Sequence, residues 1–229
     1  MVRAVFLDAG NTILALDYDT ITDRLRGEGH RLTAAQVRLA EQHARVRLDP
    51  HLAQGRSTEA VDVFRVYCRY LLDHLGIPWD EAGERIVADL RTANSPFGLW
   101  SVRVPEAPAV LETLRRRGLR LAVVSNSNGT VADNLRSVGL ADHVDTIVDS
   151  GHVGVEKPDP RIFQHAAAAL GVRPEEAVHI GDLYSVDILG ARAAGCRAIL
   201  LDPVGAWTAA DCPKAPDLPA AARLIDEMT

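Results

Sequence analysis

Short, β-branched apolar runs alternate with helical stretches along most of this 229-residue chain, and one window, from Asp17 to about Asn94, breaks the alternation by being helical throughout. The runs "RAVFLD" (3–8), "LRLAVVSN" (119–126), "HVDTIVDS" (143–150), "AVHIGD" (177–182) and "CRAILL" (196–201) are bounded by turn residues and are expected to be strands. Helices are expected between them at about 106–117, 130–138, 160–170 and 185–194, the third opened by Asp159 as N-cap with Pro160 in the first helical position. Strands alternating with helices require a parallel sheet covered on both faces, with right-handed crossovers, and ligands of such sheets bind beyond the carboxyl ends of the strands.

Inside the window, Thr33 and Gln36 stand in capping-box spacing at the start of "LTAAQVRLAEQHARVRL". "STEAVDVFRVYCRYLLDHLG" brings Val61, Phe64, Val66, Tyr67, Leu71 and Leu75 near one stripe and stops at Gly76. "PWDEAGERIVADLRTANSP" opens with Pro78 and closes before Pro96, and a shorter helix around 18–27 completes a set of four. The expected fold class is therefore α/β, with a parallel-sheet core from residues 1–14 and 98–229 interrupted by an all-helical insert from residues 15–97.

A formal charge of -6 argues against a nucleic-acid partner, which would leave a basic footprint. Three cysteines, Cys68, Cys196 and Cys212, form no CxxC pair, so a reducing cytoplasm is the expected compartment. No apolar run is long enough to suggest a membrane span. Either a monomer or a homodimer is compatible with the composition.

The topology predicts which residues converge. Asp8, the pair Ser125-Asn126 and the pair Gly181-Asp182 stand at strand ends, and Lys157 stands in the loop before the 160–170 helix. Asp8 and Asp182 would bring two carboxylates to one point, which suits a hard cation such as Mg²⁺. Ser125 offers a hydroxyl, the turn from Gly10 to Thr12 offers N–H groups, and Lys157 offers a full positive charge. A transferring phosphoryl group needs such a nucleophile, metal and set of donors. Lys157 and Lys214 are the only lysines, so an ammonium at residue 157 in an arginine-using chain points to a need for a compact cation. His179 is expected to be a packed histidine, Cys68 and Cys196 small buried hydrophobes, and Trp100 and Phe97 packing residues where the chain re-enters the core.

"DAGNT" (8–12), "VVSNS" (123–127), Lys157 in "EKPDPRIF" and "GDLYSVDILGARAAG" (181–195) resemble, in order, the four motifs of the haloacid dehalogenase superfamily of hydrolases. The resemblance implies a Rossmann-like core with a helical cap placed after the first motif. It implies Asp8 as nucleophile and metal ligand, the Gly10 carbonyl and Asp182 as further ligands to Mg²⁺, and Asp187 holding the Asp182 loop. Ser125 and Lys157 would act on the phosphoryl group and on Asp8, with Asn11 and Asn126 on the substrate side. The implied activity is hydrolysis of a small phosphorylated metabolite through an aspartyl-phosphate.

One position departs from the pattern. The family's phosphatases usually carry a second aspartate two residues after the nucleophile, as general acid and base, and here that residue is Gly10. Loss of such help lowers rates by about 10²–10⁴-fold, so slow turnover is one expectation. A phosphonate-cleaving relative would need a lysine in the insert, and residues 17–94 contain none. The remaining alternatives are a metal-independent 2-haloacid dehalogenase and a catalytically weak member that binds a phosphoryl ligand or a protein. Asp17 and Asp19 are the acids that could reach the site from the linker when the cap closes.

Overall fold

A computed structural model describes residues 1–228. Its centre is a six-stranded, all-parallel sheet in the order β5-β4-β1-β6-β7-β8. The strands are β1 (Ala4–Leu7), β4 (Arg120–Ser125), β5 (Thr146–Asp149), β6 (Ala177–Gly181), β7 (Arg197–Leu201) and β8 (Lys214–Ala215). Period-two alternation along each strand divides the core into two layers. Val5, Leu7, Leu121, Val123, Val178 and Ile180 face α5 (Ala107–Arg116), α6 (Val131–Ser137) and α10 (Leu218–Leu224). Ala4, Phe6, Ala122, Val124, Ala198 and Leu200 face α8 (Pro160–Leu170) and α9 (Leu189–Ala193). Both faces are apolar because both are covered, as the strand pattern required. Asp159 caps α8 through the Arg161 N–H at 2.9 Å.

The window contains α1 (Tyr18–Gly27), α2 (Ala34–Leu52), α3 (Val61–His74) and α4 (Glu81–Thr92), packed around their own apolar cluster. The Thr33–Gln36 capping box forms as expected. Pro50 lies inside α2 and does not end it, because a proline in the last turn removes a single ladder bond; Ala53 N still bonds Asp49 O at 2.8 Å. The helix runs to Leu52, one turn beyond the apolar pattern that marked it in the sequence, and that turn carries Asp49.

Three further features carried no sequence signal. Where the chain leaves and re-enters the core, β2 (Leu14–Ala15) and β3 (Val102–Arg103) pair antiparallel, which ties the two linkers together. Two-residue strands are too short for a period to be read. Strand β8 adds a sixth strand at the sheet edge for the same reason. After β6 the backbone forms one wide turn over Tyr184–Ile188 before α9, of the kind often found at functional sites.

Candidate active site

The carboxyl ends of β1, β4 and β6 open into a cleft of about 500 Å³. Asp8, Asn11, Ser125, Asn126, Lys157 and Asp182 line the sheet side, and Val63, Phe64, Tyr67 and Leu90 line the insert side. Asp8 follows directly on β1, and its N–H bonds the Ile180 carbonyl at 2.9 Å, which fixes it beside β6. The Lys157 ammonium donates to Asp8 Oδ1 and, at 2.8 Å, to Asp187 Oδ1. All three side chains are buried.

Asp187 has no spare capacity. Its Oδ2 accepts the N–H groups of Asp182 (3.1 Å) and Leu183 (2.9 Å), and its Oδ1 lies 3.1 Å from His179 Nε2. Burial would raise this carboxyl, but Lys157 and His179 outweigh it and hold Asp187 below the ordinary carboxylate range. His179 is fully buried, edge-on to Phe163 at 5.0 Å, with burial lowering its pKa. It therefore positions Asp187 from within the core. Gly181 exists for the same carboxylate, since a Cβ there would fall 2.3 Å from Asp187 Cγ. Gly181→Ala is accordingly expected to cost about 1–3 kcal/mol, read as a lower urea midpoint, and an unchanged midpoint would show that Asp187 can move.

Asp182 holds the other end of the cluster. Asn11, at φ 53°, donates from Nδ2 to Asp182 Oδ2 at 3.1 Å. The same oxygen accepts Arg45 Nη1 from α2 at 2.7 Å. Arg45 also pairs with the fully buried Glu41, Nε to Oε1 at 2.8 Å. Glu41 in turn accepts the Tyr18 hydroxyl at 3.0 Å and the Tyr67 hydroxyl at 2.9 Å. One turn further along, Asp49 Oδ1 accepts the Ser185 N–H at 2.8 Å and its hydroxyl at 2.7 Å. Glu41, Arg45 and Asp49 thus form one stripe of α2 at a spacing of four, turned towards the 182–185 loop. Sequence reasoning missed this stripe. The signal was present as charged residues on the helix face that should have been apolar.

The remaining sequence-derived residues have definite surroundings. Ser125 is buried at the cleft floor, with its hydroxyl 3.3 Å from the Asn126 carbonyl. The Asn126 amide bridges the Lys157 backbone, accepting its N–H at 2.7 Å and donating to its carbonyl at 3.0 Å, and also donates to Thr58 of the insert at 3.1 Å. Gly10 lies against Trp100: a Cβ on residue 10 would stand 3.1 Å from the indole Cδ1, so an acid could enter only if the indole moved. Asp17 caps α1 through Thr20 and also accepts Asn94, and neither Asp17 nor Asp19 lines the cleft. Cys68 and Cys196 are buried and both are pushed up to about 12 by burial. Glu59 is the acid on the cleft wall outside the cluster. Although it meets solvent at the cleft mouth, the surrounding protein and then the Glu156 and Asp149 charges push its carboxyl up to about 7.

The donor set suits a divalent cation. Carboxylate oxygens of Asp8, Asp182 and Asp187 lie within 4.8 Å of one another, and with Asp187 already taken up by its own donors, Asp8 and Asp182 are the carboxylates left for an ion. Burial, reinforced by the neighbouring carboxylates and opposed by Lys157, pushes Asp8 up to about 8, and burial likewise raises Asp182 against the pull of Arg45. The linked group contains four carboxylates, those of Asp8, Asp182, Asp187 and Glu41, against the two cations Lys157 and Arg45. Carboxyls raised in this way lose their protons more readily when a hard divalent ion sits among them, and such an ion takes oxygen ligands. The tight turn leaves a further donor available: its bonds from Leu14 N at 2.8 Å and Ile13 N at 3.0 Å use the Ala9 carbonyl rather than that of Gly10.

Known proteins agree with this architecture. The phosphoserine phosphatase of Thermus thermophilus is 48% identical over 99 residues, covering 43% of this chain and 40% of that one. The mouse haloacid dehalogenase-like hydrolase domain-containing protein 3 is 38% identical over 135 residues, covering 58% of this chain and 53% of its own length. The chain thus matches about half or less of these curated relatives. A solved 2-haloacid dehalogenase from Pseudomonas syringae superposes with a TM-score of 0.60 at 26% identity and covers 100% of both chains. The model of the haloacid dehalogenase-like hydrolases matches residues 2–195. With that span matched and the four motifs converging on one cleft, the chain belongs to the haloacid dehalogenase-like hydrolase family.

Proposed function

We propose that this hydrolase is a phosphatase acting on a small phosphorylated metabolite, with the helical insert as its cap. The observation that carries this reading is the placing of Asp8 between Lys157 and the Asp182 carboxylate at the floor of a cleft. An Asp8 oxygen attacks phosphorus, the bond from phosphorus to the leaving oxygen breaks, and an aspartyl-phosphate forms. Water then attacks the phosphoryl group, releasing inorganic phosphate and restoring the Asp8 carboxylate. Lys157 offsets charge on Asp8 and on the incoming phosphate, and the Ser125 hydroxyl donates to a phosphoryl oxygen. Asp8, Asp182 and the Gly10 carbonyl would hold Mg²⁺, which when bound stabilises the charge on the transferring group. Closure of the insert excludes water from the first step.

The Asp182 carboxylate and the phosphatase relative favour this reading over dehalogenation. The test is a panel of phosphomonoesters assayed for inorganic phosphate with Mg²⁺ and with EDTA. Turnover is expected with Mg²⁺ alone, and EDTA is expected to remove it. Equal rates in both, or halide release from a 2-haloacid without metal, would refute the reading.

Because Gly10 cannot move a proton, the leaving oxygen needs another donor; Asp8 is taken up as the nucleophile, and Glu59 is the cleft acid outside the linked cluster, pushed up to about 7. A carboxyl that titrates near 7 donates below that pH and is spent above it, so kcat is expected to fall as pH rises through about 7. Glu59→Gln is expected to lower kcat by about 10²-fold and to abolish that alkaline fall. A wild-type profile in the variant would remove Glu59 from the reaction.

A further inference from the structure

The Glu41–Arg45–Asp182 chain runs from the interior of the insert, where Tyr18 and Tyr67 bond Glu41, and ends on a core carboxylate. Arg45 is a buried side chain of the insert, yet its Nη1 makes a 2.7 Å bond to Asp182, across the boundary between insert and core. Behind it, Glu41 is fully buried and held by two tyrosine hydroxyls, so the guanidinium is fixed from the rear and cannot swing away cheaply. Both donors to Asp182, Arg45 and Asn11, fall on Oδ2. A cation at Asp182 must therefore approach a carboxylate that already has a full positive charge on it.

We propose that Arg45 is a positioning residue that makes closure of the insert and divalent-cation binding compete for Asp182. This rests on the cation of the proposed function. Two like charges around one carboxylate repel at several ångströms in a buried site, where screening by water is weak. With the insert closed, Arg45 neutralises Asp182 and keeps its oxygen satisfied. With a cation bound, the attraction of Asp182 for Arg45 falls and the 2.7 Å bond weakens. Another tie from the same helix to the core, Asp49 to Ser185, carries no cationic group and is the internal reference. The two ties share one helix, so the cation acts on the whole of α2 through the first of them.

Mn²⁺ is the probe, its binding to the full chain followed by electron paramagnetic resonance and calorimetry, with hydrogen exchange of α2 as a second readout. Arg45→Gln is expected to bind Mn²⁺ at least about fivefold more tightly than wild type. Arg45→Lys, which restores the charge, is expected to return affinity towards wild type, and Ser185→Ala to leave it unchanged. In the wild type, Mn²⁺ is expected to speed exchange in α2, and in Arg45→Gln it is not. Should Arg45→Gln fail to fold because Glu41 is left unpaired, Glu41→Gln/Arg45→Gln removes both charges together and is expected to tighten binding by a smaller factor. Equal or weaker binding by Arg45→Gln and by the double variant, with Asp182→Asn still abolishing binding, overturns this inference alone. Absence of Mn²⁺ binding in every variant overturns it together with the cation of the proposed function.

Discussion

Asp8→Asn is expected to reduce phosphate release by at least about 10⁴-fold while leaving the protein folded. The amide keeps the shape of the side chain and loses the nucleophile, so no aspartyl-phosphate can form. Stability is expected to hold because burial, and then the charges of Asp187 and Asp182, disfavour an ionised group at residue 8, and a neutral amide carries neither cost. The loss of its bond to Lys157 is offset by the bond that Lys157 keeps with Asp187. Phosphate release in a single-turnover assay and the thermal midpoint measure the two halves of this expectation. Turnover within about tenfold of wild type would show that some other group attacks phosphorus.

Lys157→Met is expected to be worse for the fold than for any single contact. It leaves two buried carboxylates, Asp8 and Asp187, without the cation that bridges them. Removing one partner of a buried ion pair typically costs about 3–5 kcal/mol, and here both pairs lose the same partner. A large fall in urea midpoint is expected, with loss of phosphatase activity even under conditions where the variant stays folded. Lys157→Arg is the sharper comparison. The ammonium is raised above its ordinary range by Asp187 and Asp8, in spite of burial that would lower it, so charge alone is preserved by arginine. A planar guanidinium cannot sit as a point charge between two carboxylates in this packing, and activity is expected to stay low. A fully active Lys157→Arg would mean that the rarity of lysine in this chain has no bearing on the site.

The convergence of Asp8, Ser125, Lys157 and Asp182 was legible because topology fixes it: in a parallel sheet, residues just past adjacent strands must meet. The strand cores were legible for the same reason, since continuous apolar runs mean burial on both faces. The insert was legible as helices but its polar face was not. Glu41, Arg45 and Asp49 fall on the apolar face of their helix, which hints at burial, but the sequence does not show what they pair with: the partners of Arg45 and Asp49 lie in the 182–185 loop, more than 130 residues away. Gly10 was read as a missing acid, and the structure adds the neighbour that fills its place, the Trp100 ring, whose position depends on where the chain re-enters the core. The β2–β3 ribbon shows the same limit, because its pairing joins residues some 88 apart.

The stripe on α2 also bears on how such an enzyme can change. Its docking is carried by Arg45 and Asp49 of one helix, whereas Val63, Phe64, Tyr67 and Leu90 of α3 and α4 line the far wall of the cleft. Apart from Tyr67, which bonds Glu41, those wall residues make none of the bonds that seat α2 on the core. Substitutions in α3 and α4 can therefore reshape what the cleft admits while the alignment of the insert over Asp8 is inherited unchanged, so new substrates are reached without rebuilding the reaction centre.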